Sequence, residues 1–355
     1  MPGHPLPSVR ASRLETSVEL WVERMNFDSF GVIGGGAWGT ALAQTLRLAG
    51  RDVVLWAREA ETVGDINTRH VNRTFLPGIS LDPGLIATTR LADVAVCDAV
   101  LMVAPAQHLR SVATELASHM RDGQPLVLCA KGLEQSSGRL MSDVADEVLP
   151  NVTLAVLSGP SFAADVARGL PAALTLACRN EAIGKKLAEA IGYKLFRLYW
   201  SGDIVGVELG GAVKNVLAIA AGIVDGKGLG ASAHAALVTR GFAELRRLGD
   251  ALGAKPETMM GLSGLGDLLL TCGSPQSRNM SLGRALGQGA SLADILGSRV
   301  AVTEGVYTAA AVVELARQHH LQMPISEAVH SILEGRVLVD DAISALMQRP
   351  FKAED

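Results

Sequence analysis

Between Ser29 and Ser201, short apolar runs alternate with longer stretches in which apolar residues recur every three or four positions. That alternation is the signature of strands in a parallel sheet joined by covering helices. The runs predict strands at Phe30–Ile33, Val53–Trp56, Ala99–Val103, Leu126–Cys129, Leu154–Leu157, Ala172–Ala177 and Leu195–Leu198. Helical spacing marks Gly39–Ala49 and Leu109–Met120 among the connections. Parallel neighbours joined in this way imply right-handed crossovers.

After Ser201 the period changes. Apolar residues recur at helical spacing through Ile204–Leu217, Ala233–Leu252, Ala309–Ala316 and Ser326–Leu333, with glycine-rich joints at 226–230, 261–266 and 287–289. The expected architecture is α/β: an N-terminal Rossmann-like doubly wound parallel sheet followed by a C-terminal all-helical domain. The division expected is 1–27 as an extension, 28–203 as the dinucleotide-binding domain and 204–350 as the helical substrate domain, with the change of character between Gly202 and Leu209. A site drawing groups from both halves would lie in the cleft between them. No internal repeat is evident.

Length agrees with two domains, since 355 residues exceed what one hydrophobic core organises. The richest apolar stretch, Ala212–Val224, contains Lys214 and Asn215 and reads as too short to span a bilayer. A net charge of −4 with scattered Lys and Arg argues against a nucleic-acid partner. Cys97, Cys129, Cys178 and Cys272 are far apart and form no CxxC pair, so they read as reduced core residues; the eight histidines show no zinc spacing, and no metal is expected. The first 27 residues lack the apolar core of a secretory signal, and Glu15, Glu19 and Glu23 do not suit an organellar transit peptide. Cytoplasmic residence is the expectation, and Met25 is an alternative start.

Gly34, Gly36 and Gly39 form a GxGxxG directly after the first strand and at the start of a helix running through Ala41, Leu42 and Ala43, with Ala37 and Trp38 between the second and third glycines. In that context the first glycine permits the turn, the second admits a pyrophosphate to the backbone, and the third lets helix pack on strand. The helix N-terminus then offers unpaired N–H groups to the anion. Cofactor type is read at the end of the second strand, where Arg58 stands in position to fork onto a 2'-phosphate and Glu59 is the nearest acid. This favours NADP and leaves NAD use open; a solvated Arg58 is the alternative.

Lys214 and Asn215 sit inside an otherwise apolar, alanine-rich helix. A buried ammonium must be paired or lose its proton, and a lysine tuned in that way can serve as general acid or base; the alternative is an ammonium that snorkels to solvent. Asp267 and Thr271, four residues apart, share a helix face, and Asp267 either orients Lys214 or caps a helix next to Gly266. Gln276, Ser277, Arg278 and Asn279 form a compact polar set suited to gripping a phosphoryl group, or else a solvated loop.

The segments GGGAWGTALA (34–43), AKGLE (130–134), SGPSFA (158–163), GGAVKN (210–215), GLGDLLLTC (264–272) and QSRN (276–279) resemble the bacterial-type NAD(P)-dependent glycerol-3-phosphate dehydrogenases, over roughly residues 28 to 350. The resemblance implies cofactor contacts at Gly34, Gly36, Ala37, Trp38, Gly39, Arg58, Lys131, Ala163, Arg278, Val302 and Glu304. It implies substrate contacts at Lys131, Gly159, Ser161, Lys214, Asp267, Ser277, Arg278 and Asn279, with Lys214 as proton donor and acceptor. Two departures stand out. The family commonly has Val-Val-Glu-Gly where this chain has Val302, Thr303, Glu304 and Gly305, and it lacks the N-terminal extension.

The implied reaction interconverts dihydroxyacetone phosphate and sn-glycerol 3-phosphate with NADP or NAD, supplying glycerol 3-phosphate for phospholipid synthesis. The implied assembly is a homodimer. Two other readings stay open on the residues alone: a related 3-hydroxyacid or phosphogluconate-type dehydrogenase, and a silent dinucleotide sensor.

Overall fold

The computed structural model describes residues 26–297 and 303–350. Ten strands occur among these residues: β1 (Ser29–Ile33), β2 (Asp52–Trp56), β3 (Val71–Asn72), β4 (Leu76–Ser80), β5 (Ile86–Thr88), β6 (Ala99–Met102), β7 (Pro125–Leu128), β8 (Thr153–Ser158), β9 (Ala172–Cys178) and β10 (Phe196–Ser201). Eight form one sheet in the order β10-β9-β8-β7-β6-β1-β2-β5, and β3 pairs with β4 apart from it.

All seven expected strands are present, with no end shifted by more than three residues. One relationship differs from the expected parallel sheet. Strand β8 is parallel to β7, but β9 runs antiparallel to β8, and β10 follows β9 in parallel. The connection between β8 and β9 contains only the short helix Ala163–Ala167, which packs beside the helix Ala37–Leu48 instead of crossing the sheet. The chain therefore turns back without a right-handed crossover at this point.

Strand order reverses at β1, between β2 and β6. The carboxyl ends of β1, β6, β7 and β8 thus open onto one edge, where ligands bind in such sheets. That edge receives the glycine turn after β1, Ala104–Ala106 after β6, Lys131 after β7 and Gly159 after β8.

Beyond the sheet, the helix Ile204–Gly226 is the axis of the helical part. By length and composition it could cross a membrane, contrary to the shorter apolar stretch expected, but 94% of its apolar window is buried inside the protein. Glycines bring its neighbours into backbone contact. A Cβ on Gly222 would lie 2.0 Å from the carbonyl oxygen of Met280, and one on Gly283 would lie 2.0 Å from that of Ile219. The helix Arg278–Gly287 is thereby pressed against the axis, with its N-terminus beside Asn215.

Packing is continuous across the junction. Leu133 and Leu140, from the segment after β7, are buried with Leu209, Ala212 and Val216 of the axial helix. The four cysteines are free and buried, as their apolar contexts suggested.

Candidate active site

The glycine turn has the shape its spacing implied. Gly34 adopts φ 129°, and its N–H donates to the Trp56 carbonyl at 2.9 Å. A Cβ on Gly39 would stand 1.9 Å from the Gly34 oxygen, so that position requires glycine for contact between helix and turn. By contrast, a Cβ on Gly36 would meet nothing within 4 Å among the described residues. Gly36 is also the N-cap of the helix Ala37–Leu48 and offers no side-chain acceptor, leaving the first-turn N–H groups directed at open space. Asn72 fixes the turn from behind, donating to the Gly35 oxygen and to Thr40 Oγ1 at 2.8 Å each. This cradle fits a dinucleotide pyrophosphate.

Trp38 follows in the first turn, with its indole Nε1 buried and without a hydrogen-bond partner among the described residues. Ala163 begins the short helix that packs against this one. Arg58, just after β2, is exposed, and its guanidinium folds onto Glu59 Oε1 at 3.0 Å.

Across the cleft, Asp267 is fully buried and carries two ammonium groups. Lys214 Nζ lies 2.5 Å from Oδ1, and Lys131 Nζ lies 2.8 Å from Oδ2. Lys214 also donates to Thr271 Oγ1 at 3.1 Å, and Lys131 to the Gly159 carbonyl at 2.9 Å. Ser161 Oγ donates to that same carbonyl at 3.2 Å.

Snorkelling is therefore excluded for Lys214, and Asp267 is a pairing residue, since its helix has Gly266 as N-cap with no side-chain cap. Burial lowers the Lys214 pKa to about 7, against the opposing pull of Asp267, and the charge of Lys131 adds to the lowering.

A π-helical turn, Leu262–Gly266, delivers Asp267. Such turns shift the register of the following helix and recur at functional sites. Gly210 makes room for this one, since a Cβ there would be 2.3 Å from the Ser263 oxygen. Lys214 lies four residues further along the same face of the axial helix.

The polar set near residue 278 is a helix N-terminus and not a loop. Ser277 is its N-cap, accepting from the Met280 N–H at 3.2 Å. Asn279 donates to Asn215 Oδ1 at 2.9 Å and accepts from the Gly305 N–H at 3.0 Å, while Asn215 donates to the Lys131 carbonyl at 2.8 Å. Arg278, the first residue of that helix, is exposed, yet surrounding protein displaces enough water to lower its pKa, opposed by Glu304. Glu304 accepts from the Ala106 N–H at 3.2 Å across the cleft, and burial raises its carboxyl pKa.

Of the sequence-derived positions, Lys131, Gly159, Ser161, Lys214 and Asp267 share one hydrogen-bonded cluster. Ser277, Arg278, Asn279 and Glu304 flank it, and Gly34, Gly36, Ala37, Trp38, Gly39 and Ala163 form the cradle. Arg58 lies apart at the end of β2, and Val302 lies outside the described residues. Sequence reasoning passed over Asn215 as a bridge and Glu208 altogether; each is a polar residue inside the same apolar helix that drew attention to Lys214.

A nucleotide cradle at a sheet's switch point, facing a carboxylate that pairs Lys131 from the loop after β7 with Lys214 from the axial helix, defines the class of dinucleotide-dependent oxidoreductases. Family comparison makes this specific. The N-terminal model of the NAD-dependent glycerol-3-phosphate dehydrogenases matches residues 29–184, and the C-terminal model matches residues 203–344.

Similar proteins include the glycerol-3-phosphate dehydrogenase [NAD(P)+] of Parvibaculum lavamentivorans, 60% identical over 91% of this chain and 97% of that one. Its counterpart in Caulobacter vibrioides is 60% identical over 93% of this chain and all of that one. The crystal structure of glycerol-3-phosphate dehydrogenase from Coxiella burnetii superposes with a TM-score of 0.87, at 38% identity over 91% of this chain and 99% of that one. The chain belongs to the NAD-dependent glycerol-3-phosphate dehydrogenase family.

Proposed function

We propose that the chain interconverts dihydroxyacetone phosphate and sn-glycerol 3-phosphate with NADPH or NADH, supplying glycerol 3-phosphate for phospholipid synthesis. The observation that carries this reading is the pair of ammonium groups, Lys131 and Lys214, on the single buried carboxylate of Asp267. Gly34, Gly36, Ala37, Trp38, Gly39 and Ala163 would hold the dinucleotide, together with Arg58, Lys131, Arg278, Val302 and Glu304. When bound, the reduced nicotinamide supplies the hydride that reaches the carbonyl carbon.

Lys214 handles the proton. With its pKa near 7 it can give a proton to the developing alkoxide and take one back in the reverse direction. Lys131 adds a second donor where negative charge grows, so the pair favours the transition state over the ketone. Asp267 orients both ammonium groups from a site that water does not reach.

Ser277, Arg278 and Asn279 place a guanidinium and a helix N-terminus where a phosphate would dock. Asn279 gives one amide N–H to Asn215 and has the second available for the ligand. Holding the phosphate there aligns the carbonyl with the lysines, which is where binding far from the reacting atoms contributes to rate.

NADP preference rests on Arg58, and a cytoplasmic homodimer is the proposed setting on family grounds. Oxidation of NADPH by the purified protein, with dihydroxyacetone phosphate set beside 2-keto acids and unphosphorylated ketones, tests the reading. Turnover with the phosphorylated ketone supports it; turnover confined to other substrates, or none, contradicts it.

A further inference from the structure

Glu208 is a buried carboxylate that the proposed reaction does not use. It lies on the axial helix six residues before Lys214 and seven before Asn215. Seven residues are close to two turns, so Glu208, Gly211 and Asn215 line one face of that helix, spread over about 10 Å.

The segment 131–142 lies on this face. At its beginning, Asn215 Nδ2 donates to the Lys131 carbonyl at 2.8 Å. At its end, the Ser142 N–H donates to Glu208 Oε1 at 2.9 Å, and the Ser142 hydroxyl donates to Oε2. Between them, a Cβ on Gly211 would lie 2.7 Å from Ser158 Oγ and 3.3 Å from Lys131 Cγ, so glycine permits the close seat. These hydrogen bonds tie the segment to the helix bearing Lys214.

The end at Ser142 needs such a partner. Helix Met141–Val148 begins there with Leu140 as its N-cap, a residue with no side-chain oxygen for the first-turn N–H groups. Glu208 supplies that acceptor from another element, and its negative charge suits the helix N-terminus. The middle of the segment is held from the other side, by Gln107 at Leu133 and Gln135 and by Arg110 forked onto Glu134. Those contacts fix it to the sheet domain; Asn215 and Glu208 fix it to the proton-handling helix.

We infer that Glu208 is a positioning residue for Lys131, clamping the far end of segment 131–142 to the helix that carries Lys214. It touches neither substrate nor cofactor, and it keeps the two ammonium groups in register on Asp267. Burial pushes its carboxyl up to about 7, with Asp143 reinforcing and the hydrogen bonds from Ser142 and the Met141 backbone opposing. The inference rests on the proposed role of Lys131.

Steady-state kinetics of a mutant cycle test it. Glu208→Ala should lower kcat/KM for dihydroxyacetone phosphate by about tenfold or more, the scale expected when a catalytic group is displaced by a fraction of an ångström. Glu208→Gln, which keeps an acceptor for the Ser142 N–H, should recover most of the loss. In a Lys131→Ala background, Glu208→Ala should cost less than about twofold more, because a residue acting through Lys131 has nothing left to position.

Should Glu208→Ala fail to fold, Ser142→Ala takes its place, with about a threefold loss expected in the wild-type background and the same absence of loss without Lys131. Losses that multiply in the double variant, or an unaltered kcat/KM in Glu208→Ala beside an impaired Lys131→Ala, overturn the clamp alone. An unimpaired Lys131→Ala overturns the role of Lys131 and the clamp with it.

Discussion

Lys214 and Asp267 are paired at 2.5 Å inside the protein, yet the lysine pKa falls to about 7 instead of rising. Burial outweighs the attraction, and Lys131, on the other carboxylate oxygen, repels. One carboxylate shared by two ammonium groups thus leaves a proton near the balance point that acid–base work at neutral pH requires.

A pH dependence of known sign follows. Reduction of the ketone needs the Lys214 ammonium, so its kcat should be full below about pH 7 and fall as pH rises through that value. Oxidation of glycerol 3-phosphate needs the free amine and should rise over the same range. Lys131→Met removes the repelling charge, so the falling limb of reduction should move to higher pH in a slower enzyme. The check is kcat against pH in both directions; a limb that stays in place would separate Lys131 from the Lys214 proton.

Asp267→Asn should do the opposite. Without the carboxylate, the negative charge that favours the Lys214 ammonium is lost, the limb moves to lower pH, and reduction at pH 7 drops by about 100-fold. Measurement at pH 6 and pH 8 distinguishes this from general damage, since damage lowers both equally.

At the proposed phosphate site, Arg278→Lys should raise KM for dihydroxyacetone phosphate by about tenfold despite conserving charge, because an ammonium cannot make a planar two-point contact. Unphosphorylated dihydroxyacetone should be a poor substrate for wild type and no worse for the variant. Equal use of both ketones by wild type would move the phosphate away from Arg278.

Arg58 bears on cofactor choice. Its guanidinium is folded onto Glu59, and a 2'-phosphate would compete for it. Arg58→Ala should raise KM for NADPH by about tenfold, within the worth of a charge-assisted hydrogen bond, and change that for NADH little. Equal changes for the two cofactors would leave Arg58 an ordinary surface residue.

Much of this was legible in the chain itself. Short apolar runs and period-3.6 patterns locate the strands of the main sheet and the long helices, because burial acts on them directly. Lys214 stands out as a cation among alanines. The antiparallel β9 was not legible: a run such as Ala172–Cys178 is apolar on both faces and reads alike in either direction. Strand β4 was hidden by Pro77 and Gly78, which resemble a turn but sit in a small hairpin outside the main sheet. The bridge from Asn279 through Asn215 to Lys131 joins residues far apart in sequence, and spacing cannot register it. Glu208 is as unusual in its helix as Lys214, but its partner, Ser142, is visible only in three dimensions.

In the proposed dinucleotide-dependent reduction of the ketone, the proton is carried by Lys214. The most direct test of this role is the turnover of NADPH with dihydroxyacetone phosphate by wild type and by folded Lys214→Ala at pH 7, with cofactor affinity measured alongside. The loss in kcat should be about 100-fold or more at nearly unchanged cofactor affinity. Normal turnover in the folded variant would contradict it.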